Sequence, residues 1–183
     1  MPSKLKKMLL DGNHKFNIDL IAHYVGQDIE LFEELIDLML NEPAPIPQRA
    51  SWAMTTIAER NPWMIEPFLE KLIDLMPDFS SKHPSLTRCL LRTLSFKEAP
   101  DEKLGQLFDL CYNYLTNPKQ PAAIRVFAMQ VLFNISEKEP DLKPELKLII
   151  ENNMDNGTAG YANRAGKLLE KLNRSTTKKP SLK

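Results

Sequence analysis

Histidine (3), cysteine (2) and glycine (6) are scarce in this chain of 183 residues, and each scarcity removes a class of chemistry. His14, His23 and His83 are scattered and form no HExxH or other close metal-ligand spacing. Cys89 and Cys111 make no CxxC, and both fall inside apolar helical stripes, where a free thiol packs as a small hydrophobe. The glycines build neither a phosphate-cradling loop nor a GxSxG elbow. No apolar run approaches the roughly 20 residues that cross a bilayer. The basic start Lys4, Lys6, Lys7 is followed only by Met8-Leu9-Leu10, too short for an export core. A cytoplasmic protein with no cofactor and no metal is the expectation. Excess charge is lacking too: 24 Lys+Arg balance 24 Asp+Glu, which argues against a surface wholly given to nucleic acid or anionic membrane.

Proline, by contrast, is abundant (14), and it falls between or at the start of apolar stripes of helical period. Ile124, Phe127, Ala128, Val131, Leu132 and Ile135 follow the i, i+3, i+4, i+7 pattern of one helix face. Ile65, Phe68, Leu69, Leu72, Ile73 and Met76 repeat it, as do Leu104, Leu107, Phe108, Cys111 and Leu115. No strand pattern competes. The expected helices are 3–10, 17–25, 28–41, 46–60, 64–76, 84–96, 101–116, 121–138, 142–154 and 159–173. From residue 46 onward they pair into hairpins.

The hairpins repeat. Arg49, Arg88, Arg125 and Arg164 stand near the start of successive first helices, at spacings of 39, 37 and 39. Anchoring on them aligns Ala50, Cys89, Val126 and Ala165, and also Ile57, Phe96, Phe133 and Leu172. Pro62, Pro100 and Pro140 then separate the two helices of each pair. A helical hairpin cannot bury both its apolar faces alone and is stable only when stacked.

A hairpin period near 38–39, with Arg in the first helix and Pro between helices, resembles HEAT repeats and the wider armadillo-like superfamily. The closing segment from Tyr161 to Leu172 looks like the last helix of a short bacterial HEAT-like protein. The resemblance implies an all-α fold, a right-handed α-α superhelix built from helical hairpins. One domain over 1–174 is expected: capping helices at 1–44, repeats at 45–80, 81–118 and 119–156, and a C-terminal capping helix at 157–174. Phe16, Ile18, Leu20, Ile21 and Tyr24 are expected to close the N-terminal end, Ala165, Leu168, Leu169 and Leu172 the other. A tail at 175–183 is expected to be disordered, and the protein to be a monomer.

In such solenoids the second helices line the concave face. Matching the apolar stripes by 39 and 77 residues puts Glu70, Asp109 and Lys147 on one rung, with Asp74, Asn113 and Glu151 on the next. Glu66, Gly105 and Lys143 form the outermost rung. This mixed, partly acidic face suits a protein or peptide partner; a phosphate track needs clustered Lys and Arg. A non-enzymatic interaction or scaffold module is therefore expected. The alternative is a HEAT-like DNA-binding or alkylpurine-glycosylase type of protein, for which Trp52, Trp63 and Asp74 are the candidate residues. A chromophore or cofactor lyase of HEAT-like type finds no supporting residues. The repeated arginines read as clamps between repeats, and both tryptophans as core neighbours.

Neutrality is an average. Residues 1–15 carry +3, residues 159–183 carry +6 and the segment between carries −9; no Lys or Arg lies between Phe16 and Gln48. The body is acidic and the ends basic.

Overall fold

The computed structural model describes residues 2–154 and 158–176. Its regular structure among those residues is entirely helical: α1 (Lys4–Leu10), α2 (Lys15–Val25), α3 (Ile29–Asn41), α4 (Ile46–Arg60), α5 (Leu69–Asp74), α6 (Met76–Lys82), α7 (Pro84–Leu94), α8 (Leu104–Thr116), α9 (Ala122–Lys138), α10 (Lys143–Asn152) and α11 (Ala159–Thr176). Short 3-10 turns at Pro62–Phe68, Asp101–Lys103 and Pro140–Leu142 lead into α5, α8 and α10. The chain packs as two compact units, Met1–Pro100 and Asp101–Lys183. Their boundary falls between the two helices of the expected 81–118 repeat. Most helices lie within a few residues of the expected spans, and α11 runs on to Thr176. The remainder of the expected 175–183 tail lies outside the described residues.

One expected helix is broken. In place of a single helix over 64–76 the chain forms a seven-residue 3-10 helix, the six-residue α5 and then α6. Pro67 sits inside the 3-10 segment and Pro77 in the first turn of α6. Each lacks the amide that an uninterrupted α-helix would use, and its ring clashes with the carbonyl four residues back.

In the first unit α4 is the central helix, packed against α2, α3 and α7. Ala50, Ser51, Ala53, Met54, Thr55, Ile57 and Ala58 are buried on α4. On α7 the buried set is Leu86, Thr87, Cys89, Leu90, Leu91, Thr93 and Leu94, the same pattern 36 residues later. Small hydroxyl residues join the two helices: Thr55 Oγ1 lies 3.0 Å from the Cys89 carbonyl, and Thr93 Oγ1 lies 3.2 Å from Thr55 Oγ1. An ion pair between Arg92 and Glu59 at 2.5 Å closes the rim.

In the second unit α9 packs against α8, α10 and α11. Its buried residues, from Ile124 to Ser136, reproduce those of α4 from Ile46 to Ala58 position for position, 78 residues on. On α11, Tyr161, Ala165, Leu168 and Leu172 follow Ile124, Ala128, Val131 and Ile135 at 37. The mean period of α4, α7 and α9 is therefore the expected 39, but its two steps are 36 and 42. This corrects the alignment anchored on arginine. Phe96, matched above to Ile57, lies beyond the end of α7 and is 44% exposed, whereas Ile57 is 1% exposed.

The four arginines consequently do different work. Arg49 Nη1 donates to the Leu9 and Leu10 carbonyls at 2.7 and 3.0 Å, at the end of α1. Asn17 Nδ2 donates to the Met8 and Gly12 carbonyls beside them. The Leu9 and Leu10 carbonyls at the end of α1 are thus satisfied by α4, while α2 ties down the turn that follows. Arg125 is 3% exposed; its Nε donates to the Leu115 carbonyl at 3.0 Å, and its guanidinium stacks over the Tyr161 ring at 4.6 Å. Arg164 donates to Gln130 Oε1 at 2.7 Å. Arg88 is exposed and makes no hydrogen bond or ion pair among the described residues.

The N-terminal closure is narrower than expected. Ile18, Ile21, Ala22 and Val25 bury one face of α2, while Phe16 and Leu20, on the opposite face, are 74% and 43% exposed. Gly26 ends α2 at φ 55°, a conformation that a side chain disfavours, and its amide donates to the Ala22 carbonyl. Asp19 ties α2 to α4, bonded to Lys15 and Arg60 at 2.7 Å each. The Lys15 hydrogen bond, with the charges of Lys15 and Arg60, holds the Asp19 carboxyl below its ordinary value of 3.8. The folded form is the better acid, so the tie is complete at neutral pH and is lost as pH falls through the lowered value. Melting temperatures of the wild type and Asp19→Asn are expected to converge below 3.8; a constant difference down to strong acid would exclude this linkage.

Candidate functional site

The expected groove residues sit on both units. In the first unit, Glu66 lies within the 3-10 segment, and Glu70 and Asp74 follow on α5 one turn apart. All three are exposed and line one open cavity of about 580 Å³, together with Pro67, Lys71 and Leu75. Glu66 is paired with Lys97. Pro67, Leu75 and Pro100 add apolar lining beside the three carboxylates and Lys71, while Leu69, Leu72 and Ile73 turn the other face of α5 into the core.

In the second unit Asp109 and Asn113 are exposed on α8, one turn apart. On α10 and its approach, Lys143 pairs with Glu137 at 2.6 Å and Lys147 lies 3.9 Å from Glu151. These basic groups are thus engaged with neighbouring carboxylates, and exposed pairs of this kind contribute little to stability.

The residues set aside for glycosylase-type chemistry are not gathered. Asp74 lines the carboxylate cavity, Trp52 lines a different one with Arg49 and Arg88, and Trp63 is 47% exposed on the 3-10 turn after α4. Trp63 is therefore not the core neighbour that its apolar surroundings in sequence suggest: Met64 and Ile65 take the inward positions of that turn. Both cysteines are free thiols, and burial pushes the Cys111 thiol far above its ordinary range, away from nucleophilic use. Among the described residues no three His, Cys, Asp or Glu side chains come together as a metal site. No helix among them is long and apolar enough to cross a membrane.

A hairpin-by-hairpin burial pattern of this kind is what a HEAT-type array produces, and the family model for a HEAT repeat domain matches residues 5–169. The chain belongs to the HEAT repeat family. Its all-α architecture is the HEAT type, and the match takes in the N-terminal helices as well as the repeats recognised in the sequence. HEAT repeats commonly serve as protein-interaction scaffolds, and the family is generally non-enzymatic. No curated protein and no solved structure matches this HEAT chain significantly.

The site that sequence reasoning missed is the cavity beside Trp52. Its residues come from the α1–α2 connection, from α4 and from the start of α7. The 39-residue alignment pairs Arg49 with Arg88. The observed step of 36 instead pairs Arg49 with Ser85 and Trp52 with Arg88, which places all four on one ridge of two stacked helices.

Proposed function

We propose that this HEAT protein is a non-enzymatic interaction module that holds a protein or peptide partner on its repeat surface. The reading rests on Glu66, Glu70 and Asp74, which line an open cavity of about 580 Å³ with Lys71, two prolines and a leucine. A carboxylate row of this spacing beside prolines and a leucine complements an extended or helical segment with basic side chains and an apolar residue between them. Asp109, Asn113, Lys143, Lys147 and Glu151 are assigned to the same function as a second, mixed-charge surface on the Asp101–Lys183 unit.

Exchange of charge on the row is the test. Partners retained by the wild-type chain at physiological salt are expected to be lost from Glu70→Lys/Asp74→Lys, which alters exposed residues and leaves the melting temperature within a few degrees. Asp109→Lys alone is expected to remove only partners of the second surface. An unchanged partner list for both variants removes the assignment. Tight binding of random-sequence duplex DNA that weakens steeply with salt would instead favour a nucleic-acid function.

A further inference from the structure

A second cavity, of about 330 Å³, opens on the Met1–Pro100 unit, and its chemistry is opposite to that of the carboxylate row. Arg49 and Trp52 stand one turn apart on α4, and Ser85 and Arg88 one turn apart on α7. Because the two helices stack in a 36-residue register, these four side chains form a two-by-two patch, and Asn13 and His83 complete its rim. None of the described residues lining it is acidic, in a chain whose central segment is strongly acidic.

Two of the polar groups, Arg49 and His83, are held in place before any ligand arrives. Arg49 Nη1 is fixed by the two α1 carbonyls, and its Nε and Nη2 make no bond among the described residues. His83 Nδ1 accepts from the Ser85 amide at 3.1 Å and lies 2.8 Å from Ser85 Oγ, which fixes the ring at the rim. Arg88 has no protein partner among the described residues. The cavity lies beside the first turns of α4 and α7, whose dipoles add a positive potential. Trp52 is half-buried and supplies a flat apolar surface next to the guanidiniums.

We infer that this cavity is a binding site for a phosphate monoester carried on a flat ring. Two planar guanidiniums match the geometry and the near-double charge of a phosphate monoester, whereas a single carboxylate would leave one cation uncompensated. A volume near the lower end of the range for small-ligand sites (about 300–1,000 Å³) admits one phosphate and one ring-sized group against the indole. The site is separate from the carboxylate row and does not depend on the partner proposed there.

Calorimetric titration of the full chain at physiological chloride tests the assignment. The probes are adenosine 5′-monophosphate, phenyl phosphate and inorganic phosphate, with adenosine and phenol as phosphate-free controls. Both esters are expected to bind saturably, more tightly than inorganic phosphate and far more tightly than the controls. The stronger of the two esters identifies a heterocyclic or an aryl carrier. Arg88→Ala is expected to weaken both esters about ten- to a hundredfold, and Arg88→Lys to recover part of the loss. Trp52→Leu is expected to weaken the esters but leave inorganic phosphate unchanged. Arg88 is exposed, so its replacement leaves the fold intact, and equal melting temperatures confirm that each comparison is of folded protein. No saturable binding at about 1 mM ester overturns the inference. So do equal affinities for the esters and their phosphate-free controls, or affinities that Arg88→Ala leaves unchanged. Duplex DNA that binds more tightly than either ester and is displaced by them would reassign the cavity to a phosphodiester, which also overturns it.

Discussion

Arg125→Ala is expected to lower the unfolding free energy by about 3 kcal/mol, read from urea unfolding followed by helical circular dichroism. Arg125 is 3% exposed, and three functions end together when its guanidinium is removed. The Leu115 carbonyl at the end of α8 loses its donor at 3.0 Å. The Tyr161 ring loses the cation stacked on it at 4.6 Å. A void also opens between α8, α9 and α11, which close-packed interiors tolerate poorly. Burial pushes the Tyr161 phenol above its ordinary value and the Arg125 charge opposes that shift, so the variant should titrate this phenol later than the wild type does. Arg125→Lys should recover only part of the stability, because a compact ammonium neither stacks as a plane nor donates from the same position. A loss within about 0.5 kcal/mol, the range of ordinary surface changes, would show that the guanidinium carries none of this.

Ile57→Ala is expected to cost about 3 kcal/mol, and Phe96→Ala no more than about 0.5 kcal/mol. The two positions correspond when the repeats are aligned by their arginines, yet Ile57 is 1% exposed and Phe96 44% exposed. The pair therefore measures the register of the array. Comparable losses at both sites would restore the 39-residue step between α4 and α7; a large loss at Ile57 alone supports the 36-residue step seen in the burial pattern. Parallel thermal melts provide the check.

These two predictions also mark how far the sequence could be read. Apolar periodicity and proline spacing are properties of single helices, and they place most of the helices within a few residues and the family correctly. Which residue of one helix faces which residue of the next depends on packing between elements, and arginine was a poor ruler for it. A guanidinium on a long stem reaches the end of a neighbouring helix from more than one helical position. Arg49 and Arg164 share one register, Arg125 falls on that of Pro47, and Arg88 on that of Trp52. The buried small residues Ala50, Ser51, Ala53 and Thr55 were the better ruler, since they are what lets helices approach closely. Of the carboxylate row, the four-residue spacing Glu66, Glu70, Asp74 was legible in the sequence, although only Glu70 and Asp74 share α5 and Glu66 falls in the 3-10 segment. The cavity at Trp52 was not, because the step of 36 that assembles it appears only once the helices have stacked.

The prolines of the 62–82 segment bear on time as well as on shape. Where α4 and α9 hydrogen-bond without interruption for 15 and 17 residues, this stretch is divided into pieces of seven, six and seven. Helices open first at their ends, where backbone groups lack internal partners, and a segment divided into short pieces has more such ends. The edge that carries Glu66, Glu70 and Asp74 thus rests on backbone built of short helical pieces, whose inward side chains Met64, Ile65, Leu69, Leu72 and Ile73 are nevertheless buried. Under the proposed function, the three charges would stand on the most divided backbone of the Met1–Pro100 unit.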